Sequence, residues 1–430
     1  MTFRKWVDRL KKTGRLTEAK KPISTNIEAA AFIKALEPEP VLFHTQESYF
    51  PVAANICASR ELVSDYLGLQ ASQLVPSLLN AIEHPSKPRV AHDPPCFEVL
   101  ESKVDLDTIP LLMHAEKDGG RYISSAVVIA SHPEIGQNVS FHRFMQISKN
   151  ELVIRIVPRH LQAILEKTRG DLPIAICIGN SPNVLLAGAC SVELGSDELE
   201  IANTLQPLSV AKCREANCLV PADSEFVLIG RITSKLHDEG PFIDLTETYD
   251  LVRQQRIVRV EKVYHRQHAI YQALLPGGLE HKMLMGMPRE PTIYREVSKA
   301  CECLDVVITP GGASWLHAVV KIRKQHENDG RQAIEAAFRG HTSLKHVVIV
   351  DDDIDINDPM EVEWAIATRF QGDRGLVMKV GETGSSLDPS ADPETRKTAK
   401  VGFDATKPFE VKGKNFEKAK FPQIDWHTFV

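Results

Sequence analysis

The sequence predicts a mixed α+β and α/β chain in three parts. With 430 residues the chain is too long for one compact core, so two or three domains are expected. Short strand-like runs dominate residues 106–285, whereas residues 304–430 alternate between strand-like and helix-like patterns. The first pattern is typical of a barrel or layered sheet, and the second of an open α/β sheet. Residues 1–100 form the first part, and a helix over 286–303 links the other two.

The N-terminal part predicts a small α/β unit. Phe3, Trp6, Val7 and Leu10 recur at helical spacing, which indicates a packed first helix rather than a membrane-targeting segment. The helix-like runs "IEAAAFIKALE" and "SRELVSDYLGL" flank the strand-like run "PVLFHTQ". The Pro-rich residues 84–100 predict a connector to the central part.

The central part consists of short β-rich runs separated by turn residues. Examples are "YISSAVVIASH", "ELVIRIVP" and "FVLIGRIT". Two helices are predicted between the strands, one after Pro158 and one around Ser196–Leu205. Neither a GxGxxG fingerprint nor a P-loop occurs in the chain, so a dinucleotide-binding Rossmann unit is not expected.

The C-terminal part predicts a βααβα order. Residues 391–430 are rich in Gly, Pro, Ser and Lys, and they predict an extended tail, either packed on a neighbour or mobile. The predicted elements are a strand at 305–310, helices at 313–325 and 331–340, a strand at 345–353 and a helix at 359–370.

Composition excludes several functional classes. The net charge is −6, with 51 Lys and Arg against 57 Asp and Glu, which argues against nucleic acid as the main partner. No stretch approaches the ~20 apolar residues of a membrane span. The eight cysteines are scattered without zinc-ribbon spacing. Reduced thiols in a cytoplasmic protein are therefore expected.

The run "GQNVSFHRF" places polar and charged side chains on a predicted strand. Alternation puts Asn138, Ser140 and His142 on one face and leaves Arg143 on the other with Phe141. A guanidinium is costly to bury unless it is paired. Arg143 therefore either lies on an edge strand and reaches solvent, or pairs with carboxylates from elsewhere in the chain.

Two further runs supply side chains that bind metals. His160 begins the helix-like run after "VPR", and Ser196 is the predicted N-cap of a helix whose first turn carries Glu198 and Glu200. Taken alone, each of these two runs is explained by a structural role. Asn138, His160 and Glu198 together offer an amide oxygen, an imidazole and a carboxylate, which suits Mg²⁺ or Mn²⁺ better than a structural zinc.

The run "DEGPFID" has an acid on each side of a stiff corner. Glu239 and Asp244 lie on either side of Gly240-Pro241, a pair that favours a tight turn. These two acids are the possible carboxylate partners of the arginine in the earlier run.

Two other runs have simple structural interpretations. Gly119 and Gly120 lead into a strand, either as a hairpin entry or as a close approach of the backbone to a ligand. The acidic residues 350–358 lack the glycine and terminal glutamate of an EF-hand loop. We expect them to form a solvated helix cap.

Taken in order, the motifs resemble the UbiD family of decarboxylases, which use prenylated FMN. The resemblance extends along nearly the whole chain. It covers "DGGRYISSAVVIASHPEIGQNVSFHRF", "VPRHL", "KCREANCLVPADSEFVLIGRI", "DEGPFID", "LEHKMLMGMPRE", "TPGGASWLHAVVKIRK", "KHVVIVDDDIDIND", "EVEWAIATRFQ" and "GSSLDPS". It implies a split-barrel-like, flavin-binding central domain and a C-terminal domain that forms a homo-oligomer, a dimer or a hexamer of dimers.

The resemblance also implies roles for individual residues. Arg143, Glu239 and Asp244 match the family's catalytic network beside the flavin ring, with Asp244 as the acid that returns a proton. Asn138, His160 and Glu198 match the positions that hold a divalent metal against the flavin phosphate, with Glu200 as the rival of Glu198 and K⁺ as a further candidate ion. The implied flavin-binding residues are Asn138, Ser140, Phe141, His142, Arg143, His160 and Glu198.

The identity of the substrate rests on weaker signals. Asp244 stands where some branches of the family carry Glu, and Ile243 stands where several carry a small residue. The short chain is similar to the archaeal branch that converts trans-anhydromevalonate 5-phosphate into isopentenyl phosphate, in isoprenoid synthesis by a mevalonate pathway. Lys282, Arg289 and Arg121 are candidate ligands of such a substrate phosphate.

Two other functions remain open at this point. The chain could decarboxylate a polyprenyl-hydroxybenzoate or another aromatic acid in quinone synthesis, or it could bind flavin without turnover. In each decarboxylase case the partners implied are a small carboxylic acid and a flavin prenyltransferase that supplies the cofactor.

Overall fold

The computed structural model describes residues 1–410, 416, 418–419, 421–422 and 424–428. It confirms the mixed fold class, because helices pack against open sheets rather than around a closed barrel. Within this described part, no helix is long and apolar enough to cross a membrane.

The N-terminal part is completed by a strand from the central part. A short sheet runs in the order Thr17–Glu18, Val41–Phe43, Val52–Ala54 and Tyr271–Gln272, and the last pair is parallel. The first helix buries the four apolar side chains that its spacing predicted. The helices of this part are Phe3–Lys12, Glu28–Ala35, Arg60–Leu67 and Leu74–Glu83.

The central part is built on one antiparallel sheet. Its strands lie in the order Tyr122–Ile123, Phe144–Gln146, Glu151–Ile154, Arg253–His265, Phe226–Glu239, Leu172–Ile178, Val127–His132 and Gly136–Phe141, and Val99–Leu100 pairs with Arg253–His265. Smaller ladders join Cys218–Pro221, Ser209–Cys213 and Arg89–Val90, and a hairpin joins Phe242–Ile243 to Tyr249–Asp250. The helices are His160–Lys167, Pro182–Gly188 and Glu198–Leu205.

Both faces of the central sheet are buried. Along Leu172–Ile178, alternate side chains enter two separate apolar clusters. One cluster contains the first helix, and the other contains residues of helix His160–Lys167. The sheet therefore holds its long strands rigidly between two layers.

A helical bridge and a five-stranded sheet complete the chain. The bridge comprises Leu279–Gly286, a 3₁₀ turn at Met287–Arg289 and Glu290–Ser298. The sheet order is Glu302–Ile308, His317–Arg323, His346–Val350, Lys397–Asp404 and Leu376–Thr383, with helices Asp329–Gly340, Pro359–Arg369 and Gly372–Gly375.

Two predicted elements of the C-terminal half are corrected. The linker helix ends at Ser298 rather than 303, and the predicted helix over 313–325 is the strand His317–Arg323. That strand is buried on both faces, so its continuous apolar run carries no alternation that separates a strand from a helix. The predicted order βααβα therefore becomes ββαβα before the last two strands.

The predicted tail contains a central strand. Lys397–Asp404 lies between His346–Val350 and Leu376–Thr383. Its Gly402 packs so closely on Ile334 that a side chain would overlap it, which explains a glycine inside this strand. Residues 411–415, 417, 420, 423 and 429–430 lie outside the described residues.

The acidic run 350–358 is only partly a solvated cap. Asp358 accepts a hydrogen bond from the backbone of Met360 and caps the following helix, as expected. Asp351 and Asp353, however, pair with the fully buried side chain of Arg369. Part of the acidic run is therefore the counter-charge of a buried arginine.

The glycine pair before the central sheet packs against the "DEGPFID" corner. The backbone N–H of Gly119 donates to the carbonyl of Pro241 at 2.9 Å. A Cβ atom on Gly119 would overlap the carbonyl oxygen of Gly240 and lie 2.7 Å from its carbon. Gly119 therefore allows a close approach to another backbone segment, at Gly240 and Pro241.

We expect Gly119→Ala to destabilise the protein by about 1–3 kcal/mol, because one of two packed backbones must move. Chemical denaturation followed by fluorescence measures this change. Gly311→Ala is the matched control, since a Cβ atom there meets nothing within 4 Å. Equal stability of the two variants would contradict the packing described here.

Candidate active site

A pocket opens at the end of the strand Gly136–Phe141, where the chain crosses to the strand Phe144–Gln146. Its polar lining includes His142, Arg143 and Asp244. Phe141 and Phe242 contribute aromatic walls, and further apolar lining comes from Leu274, Leu284 and Met285. Charged groups therefore meet apolar surface in one concave site, which is the usual composition of a ligand pocket.

Arg143 is held by a buried carboxylate. Its Nε and Nη2 atoms donate to Oε1 and Oε2 of Glu239, each at 2.9 Å. Glu239 is fully buried, and the guanidinium lies 4.6 Å from the ring centre of Phe242. Such a two-point pair fixes the orientation of the guanidinium plane. The alternative of a solvent-reaching edge arginine does not apply.

Asp244 faces the same guanidinium from the hairpin that follows the corner. Its Oδ2 accepts from Nη1 of Arg143 at 3.4 Å, and its Oδ1 accepts from the backbone of Leu245 at 2.6 Å. The side chain is 21% exposed, whereas that of Glu239 is inaccessible. The two acids therefore differ in their contacts: Glu239 forms a two-point pair with Arg143, and Asp244 makes one longer contact with it at the pocket.

A third acid, Asp250, completes the network and has no counterpart in the sequence-based predictions. Its Oδ2 accepts from Nη2 of Arg143 at 3.0 Å, and its Oδ1 accepts from Arg253 at 2.5 Å. Burial would raise the pKa of Asp250, but Arg253 and Arg143 outweigh it and hold the pKa below its ordinary value. Arg155 lies 4.0 Å from the same carboxylate.

The network is balanced in charge. Three arginines, Arg143, Arg155 and Arg253, face three acids, Glu239, Asp244 and Asp250. A substrate carboxylate that enters the pocket would bring a fourth negative charge. The network accommodates that charge if one acid takes up a proton.

His281 is a second pocket residue that the sequence-based predictions missed. Its Nδ1 accepts from the backbone N–H of Gly277 at 3.0 Å, so the neutral ring carries its proton on Nε2. Burial lowers its pKa, and Asp244 opposes that effect. The imidazole therefore presents a hydrogen-bond donor beside the acid. The run "LEHKMLMG" alone gave no reason to single out this histidine.

Asn138 and Glu198 lie in contact at the other end of the same strand. Nδ2 of Asn138 donates to Oε1 of Glu198 at 3.0 Å, and the backbone of Val139 donates to Oε2 at 2.8 Å. Glu198 is 2% exposed, and burial raises its pKa to about 8. The structure thus brings together two of the three predicted metal-binding residues.

Proton counting along the strand leaves two oxygens facing each other between these two side chains. Burial lowers the pKa of His142 to about 4, so the ring is neutral. Its Nδ1 donates to the carbonyl of Arg155 at 2.9 Å, which leaves Nε2 to accept from Ser140 at 3.1 Å. Ser140 then has no proton left for Oδ1 of Asn138, 3.0 Å away.

The opposite orientation of the Asn138 amide satisfies this chain of hydrogen bonds. The amide nitrogen then donates to Ser140, and the amide oxygen faces the carboxylate of Glu198. Two facing oxygens require a proton or a cation between them. The donor set therefore fits a hard divalent metal, which prefers oxygen ligands.

No hydrogen bond joins the third predicted ligand, His160, to the other two, although its helix packs against the strand that carries Asn138. His160 begins its helix as expected, is partly exposed and makes no hydrogen bond with a described residue. Asp197, not Ser196, caps the next helix, because its side chain accepts from the backbone of Leu199. Glu200 is less buried than Glu198 and does not touch Asn138. The described residues contain no group of three or more His, Cys, Asp or Glu side chains placed to hold a metal.

We expect Glu239→Gln to lower the free energy of unfolding by about 2 kcal/mol or more, because Arg143 loses the anion that compensates its burial. Urea denaturation at neutral pH measures the loss. Glu261→Gln is the matched control, since Glu261 pairs with Arg231 on the surface and exposed pairs contribute only about 0–1 kcal/mol. A stability of Glu239→Gln equal to that of the control would refute the structural role of the pair.

Proteins with assigned activities are similar to this chain over nearly its whole length. Anhydromevalonate phosphate decarboxylase of Methanosarcina mazei is 41% identical over 430 residues, which cover 98% of this chain and 100% of that protein. The protein of the same name from Methanothermobacter thermautotrophicus is 42% identical over 90% of this chain and 92% of its own.

Two solved structures have the same fold as this chain. The UbiD-class enzyme HmfF from Pelotomaculum thermopropionicum, in complex with FMN, matches with a TM-score of 0.96 and 35% identity over 100% of both chains. An evolved dimeric form of HmfF in complex with prenylated FMN (prFMN) matches with a TM-score of 0.92 and 33% identity over 100% of both chains.

Three models of one family match consecutive segments. The N-terminal domain of 3-octaprenyl-4-hydroxybenzoate carboxy-lyase matches residues 7–82, its Rift-related domain matches 88–279, and its C-terminal domain matches 282–405. Together with the relatives at about 40% identity, these matches confirm the resemblance that the motifs indicated, and the chain belongs to the UbiD family.

Proposed function

We propose that this protein is a prenylated-FMN-dependent decarboxylase of trans-anhydromevalonate 5-phosphate, which it converts into isopentenyl phosphate and CO₂. One observation carries the reaction class: Arg143 and Asp244, an anion-binding group and a proton donor, face one apolar pocket. The substrate is supported by the relatives at 41% and 42% identity that bear this activity.

The cofactor would lie along the strand Gly136–Phe141. Solved relatives contain FMN or prenylated FMN, and the pocket end of this strand offers Phe141, His142 and Arg143 to a ring system. Asn138 and Glu198, at its other end, would hold Mn²⁺ or Mg²⁺ with His160, against the cofactor phosphate. We assign K⁺ no residue of its own.

Loss of CO₂ leaves an electron pair on carbon, and no amino-acid side chain is a good acceptor for it. When bound, the modified flavin supplies the electron sink. The protein's task is to hold the carboxylate in line, exclude water and return a proton.

Arg143 would receive the substrate carboxylate on its Nη1 edge. Nε and Nη2 are occupied by Glu239 and Asp250, whereas Nη1 has only the 3.4 Å contact with Asp244. A carboxylate is therefore able to displace Asp244 without disturbing the other two acids. Glu239 keeps the guanidinium plane fixed during this exchange.

Asp244 would then deliver the proton. Displaced from Arg143, the carboxyl group of Asp244 would lie beside the substrate, where its acid form is placed to donate. As the bond to CO₂ breaks, the proton on Oδ2 passes to the carbon that keeps the electron pair. Phe242, which is 3% exposed, covers the guanidinium and limits access of water.

The remaining partners follow from this reaction. A flavin prenyltransferase would supply the cofactor, and the C-terminal sheet would form the contacts of a homo-oligomer, a dimer or a hexamer. The eight unpaired cysteines support a reducing, cytoplasmic location.

The test is CO₂ release by cofactor-loaded protein, with anhydromevalonate phosphate and a hydroxybenzoate supplied separately. We expect turnover of the first only. Turnover of the hydroxybenzoate alone would establish the aromatic-acid alternative, and turnover of neither would leave a flavin-binding protein.

We expect Asp244→Asn to lower kcat by about 10²–10⁴-fold while the cofactor stays bound, because the amide cannot donate the proton to carbon. Absorbance of the flavin checks occupancy in the same sample. Asp238→Asn, an exposed acid on the preceding strand, serves as the control and should keep full turnover. Full turnover by Asp244→Asn would remove Asp244 from the mechanism.

Metal affinity should rise with pH. Because burial raises the pKa of Glu198 to about 8 in the metal-free protein, a metal must displace a proton below that pH. The apparent association constant for Mn²⁺ should therefore increase about tenfold per pH unit from pH 6.5 to 8 and level off above pH 8. Titration followed by electron paramagnetic resonance measures it. A flat profile, or one unchanged in Glu198→Gln, would exclude Glu198 as a ligand.

A further inference from the structure

Arg289 is a buried cation that no described acid compensates. It is 9% exposed, and its Nε atom has no hydrogen-bond partner in the part of the chain that the structure describes. Among the described residues, no carboxylate pairs with its guanidinium, which instead lies 5.4 Å from the ring centre of Trp315. Burial and the nearby Arg159 lower its pKa to about 10, so it stays charged at neutral pH. Retaining such a charge is costly unless a ligand compensates it.

The other two candidate phosphate ligands from the sequence are already occupied. Lys282 donates to Glu247 at 2.7 Å, and Arg121 pairs with Asp107. Of these three candidates, only Arg289 is buried without a carboxylate partner among the described residues.

Further unpaired donors surround Arg289. Arg159 forms no ion pair with a described residue, and its charge lowers the pKa values of both Arg289 and His341. The helix His160–Lys167 begins at Arg159 without a side-chain cap, so its first N–H groups are free to meet an anion. Near Trp315, the Nε2 atom of His341 and the hydroxyl of Ser314 are buried and hydrogen-bond to no described residue.

One helix connects this cationic cluster with Asn138 and Glu198: Pro182–Gly188 packs against the turn Met287–Arg289, the strand Gly136–Phe141 and the helix Glu198–Leu205. The thiol of Cys190 is close enough to both Arg289 and Glu198 for each to act on its pKa. Burial is the larger effect and raises that pKa, with Arg289 opposing and Glu198 adding to the shift. An anion beside Arg289 would thus lie close to the oxygens that favour a metal.

We propose that Arg289, with Arg159 beside it, binds a phosphate monoester. A guanidinium presents several N–H groups in one plane, and a phosphate offers three acceptor oxygens, so the two match in geometry and charge. The inference rests on the proposed function, which provides two such ligands, the phosphate of FMN and that of the substrate.

The first test compares FMN with riboflavin, which lacks the phosphate. Cofactor-free protein, saturated with Mn²⁺, is titrated with each flavin, and quenching of flavin fluorescence gives Kd. Removing a charge-assisted hydrogen bond should weaken FMN binding by Arg289→Met about tenfold or more and leave riboflavin binding unchanged. That result assigns the site to the cofactor phosphate.

The second test addresses the substrate phosphate. FMN-loaded protein is titrated calorimetrically with isopentenyl phosphate. Unchanged FMN affinity with about tenfold weaker binding of isopentenyl phosphate in Arg289→Met assigns the site to the substrate. If wild type binds both ligands and Arg289→Met binds both equally well, the inference is overturned. If wild-type protein binds no flavin, the proposed function fails first and the inference fails with it.

Two controls separate binding from folding. Arg295→Met removes an arginine from the next helix whose side chain is 43% exposed, and it should change neither affinity. Because an unpaired buried charge does not stabilise the fold, cofactor-free Arg289→Met should melt at or above the temperature of wild type. A lower melting temperature would show a structural role and overturn the inference. Arg159→Met provides an independent variant, with a smaller loss of phosphate-dependent affinity expected.

Discussion

The buried ion pair between Arg143 and Glu239 sets the geometry of the pocket. A guanidinium in this position would cost several kcal/mol without a counter-charge. The long strand Phe226–Glu239 ends at the carboxylate that compensates it, and the hairpin behind that strand adds Asp244 and Asp250. The need to compensate the charge of Arg143 therefore fixes where the Gly240-Pro241 corner, the following hairpin and Phe242 lie.

The buried arginines discussed above differ in how many carboxylates pair with them. Arg369 is saturated by Asp351 and Asp353 and serves the fold of the C-terminal sheet. Arg143 is paired on two sides and loosely held on the third, so it keeps its position while one edge accepts a ligand. No acid in the described part of the chain pairs with Arg289. The fully paired Arg369 supports the fold, whereas Arg143 and Arg289, whose charges are less completely compensated, are the two that we propose bind ligands.

Sequence reasoning succeeded where a residue type conflicted with its surroundings. Arg143 in a strand with apolar neighbours, and Glu239 and Asp244 around a stiff corner, are conspicuous for that reason, and the ordered motifs identified the family. Asp250 was missed because it follows a polar run that is indistinguishable from a loop. The strand His317–Arg323 was misassigned because burial on both faces removes the alternation. Contacts between distant segments, such as that of Asn138 with Glu198, have no local signal.

The N-terminal sheet has a consequence for how the chain is made. Its last strand, Tyr271–Gln272, is more than 200 residues away in sequence from its partner Val52–Ala54. During synthesis, this edge of the strand Val52–Ala54 stays unpaired until Tyr271–Gln272 has emerged from the ribosome. Native pairing closes a long loop, and contacts of such separation slow folding. The first hundred residues therefore do not complete their own sheet: its last strand is synthesised only after most of the central part.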